Sequence, residues 1–100
     1  MKVLALDYGR ARTGVAVSDS TGTLARPLTV VPKAGTAAGM RVLLDRIAEQ
    51  RPELVVVGLP LTLRGERGEQ ARETAAFIDR LRAATELPVE TYDEIGRAHV

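Results

Sequence analysis

Hydrophobic positions change their period several times along this chain, and each change marks an element. Lys2 to Asp7 is a short apolar run that ends in a carboxylate, and Thr13 to Asp19 alternates around Val15 and Val17, the period of a half-buried strand. Gly9 and Gly14 mark a tight turn between them. A second turn at Ser20-Thr21-Gly22 leads into Thr23 to Val31, rich in β-branched residues, where Pro27 predicts a sheet edge or a bulge because it cannot donate to a ladder. From Thr36 to Gln50 the residues Met40, Leu43, Leu44 and Ile47 fall at helical spacing, and Pro52 stands just past the end. Leu54 to Val57 is continuously apolar and runs into Gly58-Leu59-Pro60, as expected of a strand buried on both faces. A loop with Gly65 and Gly68 precedes a second helix carrying Ala71, Ala75, Ile78 and Leu81, which Pro88 prevents from continuing. Val89 to Tyr92 reads as a last strand, ending at Asp93-Glu94.

Three strands, helix, strand, helix, strand is the order of an α/β domain with a mixed sheet, an antiparallel meander followed by two parallel strands. Right-handed crossovers would set the fourth and fifth strands parallel to the first, so that Asp7, Gly58 and Asp93 emerge at the carboxyl ends of neighbouring strands.

Composition changes this picture mainly by exclusion. The chain has 100 residues, 45% of them hydrophobic, enough for one domain near the lower end of sizes that bury a useful core. Cysteine is absent, which removes disulfides, thiolate metal sites and a cysteine nucleophile, and makes a reducing cytoplasm the expected setting. No apolar run approaches the roughly 20 residues of a membrane span, and Lys2 followed by a strand does not make a signal peptide. A net charge of +1 gives no global field for nucleic acid. The basic residues are almost all arginine, whose planar guanidinium suits bidentate phosphate contact, although genomic base composition produces the same bias.

The candidate chemistry lies at the strand ends. Asp7 at a strand tip is costly unless paired or holding a metal ion, and Gly9 lets a backbone come close to a ligand; a plain turn cap is an equally good reading of Asp7 alone. Asp93-Glu94 is a second acidic pair, of the oxygen chemistry that Mg²⁺ or Mn²⁺ prefers, or else a solvated acidic turn. Two such ions would allow one to activate water and the other to steady the leaving oxygen of a phosphodiester. Arg10 and Arg12 could position phosphates or simply be solvated, and Arg64, Arg67 and Arg72 could widen a basic rim. With one Phe and two Tyr there is no stacking platform for bases, and Gly65 and Gly68 lack the Gly-Lys-Ser/Thr ending of a phosphate-binding P-loop.

Taken together, Leu4 to Asp19, Arg26-Pro27-Leu28, Val55 to Leu61, Gly65 and Asp93-Glu94 resemble the YqgF/RuvX family over nearly the whole chain. The resemblance implies an RNase H-like five-stranded fold and a metal-dependent nuclease, described as maturing the 5′ end of pre-16S rRNA or resolving Holliday junctions. By the same resemblance Asp7 matches the first-strand catalytic acid and Glu94 the glutamate of an Asp-Glu-Arg motif. Both would be metal ligands, with Asp93 assisting, while Gly9, Arg10, Arg12, Gly58 and Pro60 would contact the substrate.

Two departures follow. Thr62 stands where the family loop usually carries asparagine. After Glu94 the family continues with arginine, a Ser/Thr pair and a long helix bearing another acid, whereas this chain reads Ile95 to Val100. A codon run GAG ATC GGA AGA GCA CAC GTC for Glu94 to Val100 would match a common sequencing adapter, so the domain is expected over residues 1–94, residues 95–100 are expected to be non-native, and His99 is not taken as a ligand. Without the final helix, one sheet face is expected to expose apolar surface and to lower stability. Two other readings stay open: a non-catalytic fragment or pseudo-enzyme that at most binds nucleic acid, and a sugar-kinase or actin-like ATPase piece, whose Asp-x-Gly turn also cradles phosphates.

Overall fold

The computed structural model describes residues 1–18, 25–59 and 68–93. Its elements are β1 (Val3–Asp7), β2 (Arg12–Ser18), β3 (Ala25–Pro32), α1 (Ala37–Gln50), β4 (Leu54–Leu59), α2 (Gly68–Ala84) and β5 (Val89–Asp93). They form one five-stranded sheet in the order β3-β2-β1-β4-β5. β1 pairs antiparallel with β2 and parallel with β4, and β5 is parallel to β4. The predicted meander and the two parallel additions are both present, and Pro27 lies on the edge strand β3, where the β2–β3 register shifts at Val15/Ala16.

Alternation along the strands separates two faces. Leu4, Leu6, Val15, Val17, Val55, Val57 and Val89 lie in register on one face and are buried with Leu43 and Ile47 of α1 and Phe77, Ile78 and Leu81 of α2. Both helices therefore pack on that face. The opposite row, including Ala5, Ala16 and Val56, is only half-buried, and Val30 is 53% exposed. β4 thus departs from the expectation of burial on both faces, because its Val55 and Val57 lie under the helices while Leu54 and Val56 point to the less covered side.

The helices also refine the sequence pattern. Thr36 is the N-cap of α1 rather than its first residue, its hydroxyl accepting from the Gly39 amide at 3.0 Å. In α2 the buried residues are Thr74, Phe77, Ile78 and Leu81, whereas Ala75 is exposed. The alanines tolerate either environment, so the bulkiest side chain, Phe77, fixes which face turns inward.

Candidate nuclease site

Asp7 is the last residue of β1, the central strand. Its backbone is level with Gly14 on one side and Gly58 on the other, and Gly58 is level with Tyr92. A β-carbon on Gly14 would stand 3.8 Å from the Asp7 β-carbon, an ordinary van der Waals contact. Asp7 is exposed and has no hydrogen-bond or ion-pair partner among the described residues. It borders a hollow of about 360 Å³ on the less covered sheet face, together with Ala5, Gly14, Ala16, Val30 and Tyr92. A solvent-facing carboxylate with free lone pairs, held by a rigid strand, is open to a cation or a water molecule.

The turn after Asp7 folds away from that hollow. Tyr8 stacks on Phe77 with ring centroids 4.4 Å apart. A β-carbon at Gly9 would stand 2.5 Å from the Arg12 carbonyl oxygen, so the close approach that glycine permits here is taken up by the chain's own turn. Arg10 donates a fork of hydrogen bonds to Glu73 of α2, Nε to Oε1 at 3.1 Å and Nη2 to Oε2 at 2.5 Å. The hydrogen bonding and then the charge of Glu73 hold the guanidinium pKa above its ordinary value. Arg12 is exposed and pairs with no carboxylate among the described residues.

The structure therefore brings Asp7, Gly58 and the end of β5 to one edge, with Asp93 one register step beyond Tyr92 and opposite Leu59. Two strand spacings separate β1 from β5, about 10 Å. Pro60, Glu94, Arg64 and Arg67 lie outside the described residues. Among the described residues, no three His, Cys, Asp or Glu side chains come together as a metal cluster. Among the described side chains, Asp7 fits a cation by its chemistry and its openness. Sequence reasoning missed Glu73, whose partner lies 63 positions away, and the tyrosine stack; neither has a local signal.

A mixed sheet of this order, with a carboxylate ending its central first strand, defines an α/β domain of the RNase H-like fold. A profile described as "RuvX: Holliday junction resolvase" matches residues 1–97. The chain belongs to that family. A Chloroflexus aggregans protein named putative pre-16S rRNA nuclease is 44% identical over 92 residues, which are 92% of this chain and 65% of that one. The chain thus spans somewhat under two thirds of that curated relative's length. The structure of Thermus thermophilus RuvC with a Holliday junction superposes with a TM-score of 0.68 at 24% identity, covering 99% of this chain and 68% of that one. A ROK hexokinase from the same organism superposes at 0.60 with 27% identity, over all of this chain but 38% of the other. Relatives named nucleases and neighbours that are resolvases make this a family of hydrolytic nucleases. No helix among the described residues is long and apolar enough to cross a membrane.

Proposed function

We propose that this chain carries the first catalytic carboxylate of a divalent-metal-dependent nuclease that works in the cytoplasm on structured RNA, in 5′-end processing of pre-16S rRNA. The observation that carries the reading is Asp7: an exposed carboxylate, without a partner among the described residues, at the end of the central strand and flanked by two glycines, in a chain of the RuvX family. Its donor chemistry suits Mg²⁺ or Mn²⁺, which bind carboxylate oxygen and water. Asp7 and Glu94 would hold the ion, with Asp93 assisting. Bound there, it would supply charge neutralisation at the scissile phosphate and a nucleophilic water at neutral pH.

The chain's own residues do the rest. β1 fixes Asp7 in place through backbone pairing on both sides. Gly58, level with Asp7 on the neighbouring strand, and Pro60, outside the described residues, would contact the phosphodiester. Gly9 closes the turn that carries Arg10 and Arg12, which position phosphates without reading sequence. Branched DNA is the second reading, favoured by the fold shared with a junction-bound resolvase. The hexokinase likeness covers 38% of that chain, and the family match covers 97 of the 100 residues here, so a nucleotide-binding role is the weaker alternative.

The test is to incubate the full-length gene product with a pre-16S rRNA fragment bearing its 5′ leader, with Mg²⁺ or with EDTA, beside a four-way DNA junction. Metal-dependent RNA cleavage is expected. Cleavage of the junction alone would move the substrate to DNA. Binding without cleavage of either would favour a pseudo-enzyme.

A further inference from the structure

The helical side of the same sheet edge carries a second feature. The β1–β2 turn, the β3–α1 turn and α2 enclose a cleft of about 590 Å³ that includes Arg10, Lys33, Thr36, Glu73 and Arg80. A neighbouring hollow of about 490 Å³ shares Thr36 and Arg80 and adds Arg41. Among the described lining residues, four cations thus follow one continuous groove against one carboxylate, Glu73, which engages Arg10 at 2.5 Å while Glu69, outside the lining, stands 3.7 Å from the same guanidinium. Among the described residues, no ion pair involves Lys33, Arg80 or Arg41.

The groove is built rather than incidental. The Lys33 amide donates to the Ala11 carbonyl at 3.0 Å, tying the two turns together. Arg80 donates to the Gly35 carbonyl, and a β-carbon at Gly35 would stand 2.7 Å from the Tyr8 hydroxyl. Lys33 holds the left-handed region at φ 48°, a conformation that costs a non-glycine residue energy and that tends to persist where function needs it. Tyr8 spends its ring on Phe77, so the groove offers charge and not a base-stacking surface.

We propose that this groove is a track for the phosphodiester backbone of the RNA substrate, and that Glu73 occupies Arg10 until a phosphate replaces it. The idea rests on the nuclease reading above for its substrate. The Arg10–Glu73 pair is solvent-exposed, so the exchange of carboxylate for phosphate is cheap, and both groups accept the guanidinium fork through two oxygens. Asp7 and Tyr8 are consecutive and lie on opposite sides of the sheet edge. A strand laid along the groove would therefore reach Asp7 by crossing that edge.

Two substitutions with opposite expected signs test this. Lys33→Gly removes a charge while relieving the strained backbone, and Glu73→Gln removes the competitor while keeping the side chain's shape. The measurement is fluorescence anisotropy of a labelled 5′-leader RNA with the full-length protein in EDTA, over a series of salt concentrations. Lys33→Gly should fold at least as stably as the parent. It should bind roughly five- to tenfold more weakly at 0.1 M salt, with the salt slope lowered by about 0.7–0.9. Glu73→Gln should bind roughly two- to fivefold more tightly. Unchanged affinity and slope in both variants, with Mg²⁺-dependent cleavage intact, would overturn the track and leave the nuclease reading standing. The predicted shifts in a protein that cleaves nothing would support the track and sink that reading. Equal affinity and equal responses with a four-way DNA junction would overturn RNA as the occupant.

Discussion

Gly39 sits in the first turn of α1, fully packed against the turn that precedes it. A β-carbon there would overlap the Lys33 carbonyl group and lie 2.8 Å from the Ala34 α-carbon. None of these is the end of a flexible side chain, so Gly39→Ala must push the start of α1 off the β3–α1 turn. Overpacking of this kind costs about 1–3 kcal/mol. Moving the helix start also strains the Thr36 cap, whose loss is worth about 1 kcal/mol. The better helix propensity of alanine returns up to about 1 kcal/mol. The net is a loss of about 1–3 kcal/mol, or a fall in Tm of roughly 5–20 °C for a domain this size. Circular dichroism melting of parent and variant measures it, with Ala48→Gly, on the exposed side of the same helix, as the control for propensity alone. A Gly39→Ala protein as stable as the parent or more so would refute the reasoning, since only propensity would then be acting.

Other substitutions probe the core. Thr13 is fully buried and its hydroxyl has no hydrogen-bond partner among the described residues; Thr13→Val should raise the urea midpoint by an amount equivalent to about 1 kcal/mol, and a fall would mean that the hydroxyl is satisfied. Phe77 is the largest fully buried side chain and carries the Tyr8 stack. Phe77→Ala should cost about 3–5 kcal/mol, a large part of the stability of a small domain, and should leave little cooperative unfolding above 37 °C. A sharp transition within a few degrees of the parent would contradict the packing described here.

Much of the fold was legible because it is written in local periods. Val15 and Val17 alternate, Leu43 and Ile47 sit one helical turn apart, and Pro27 can occupy only an edge or a bulge, so β2, α1 and the outer position of β3 followed from the chain alone. The burial of Gly39 did not, because it depends on how closely a turn approaches the helix. The inward face of α2 was misjudged at Ala75 for a related reason: alanine is indifferent to burial, and Phe77 decides. At the site, the placement of Asp7, Gly58 and Asp93 at one sheet edge followed from crossover handedness. Arg10 read equally as a phosphate contact or a solvated turn residue, and the structure gives it a partner on α2, a contact between residues 63 apart that no local pattern announces.

The central claim is that Asp7 is a catalytic carboxylate of a nuclease. Because Asp7 is exposed and has no partner among the described residues, Asp7→Asn should leave the fold unperturbed. The most direct measurement is single-turnover cleavage of the pre-16S rRNA leader by the full-length Asp7→Asn protein in Mg²⁺, with its thermal melt compared to the parent's. The account predicts an unchanged melt and a cleavage rate lowered by at least about a hundredfold. Full Mg²⁺-dependent cleavage by the variant would contradict it.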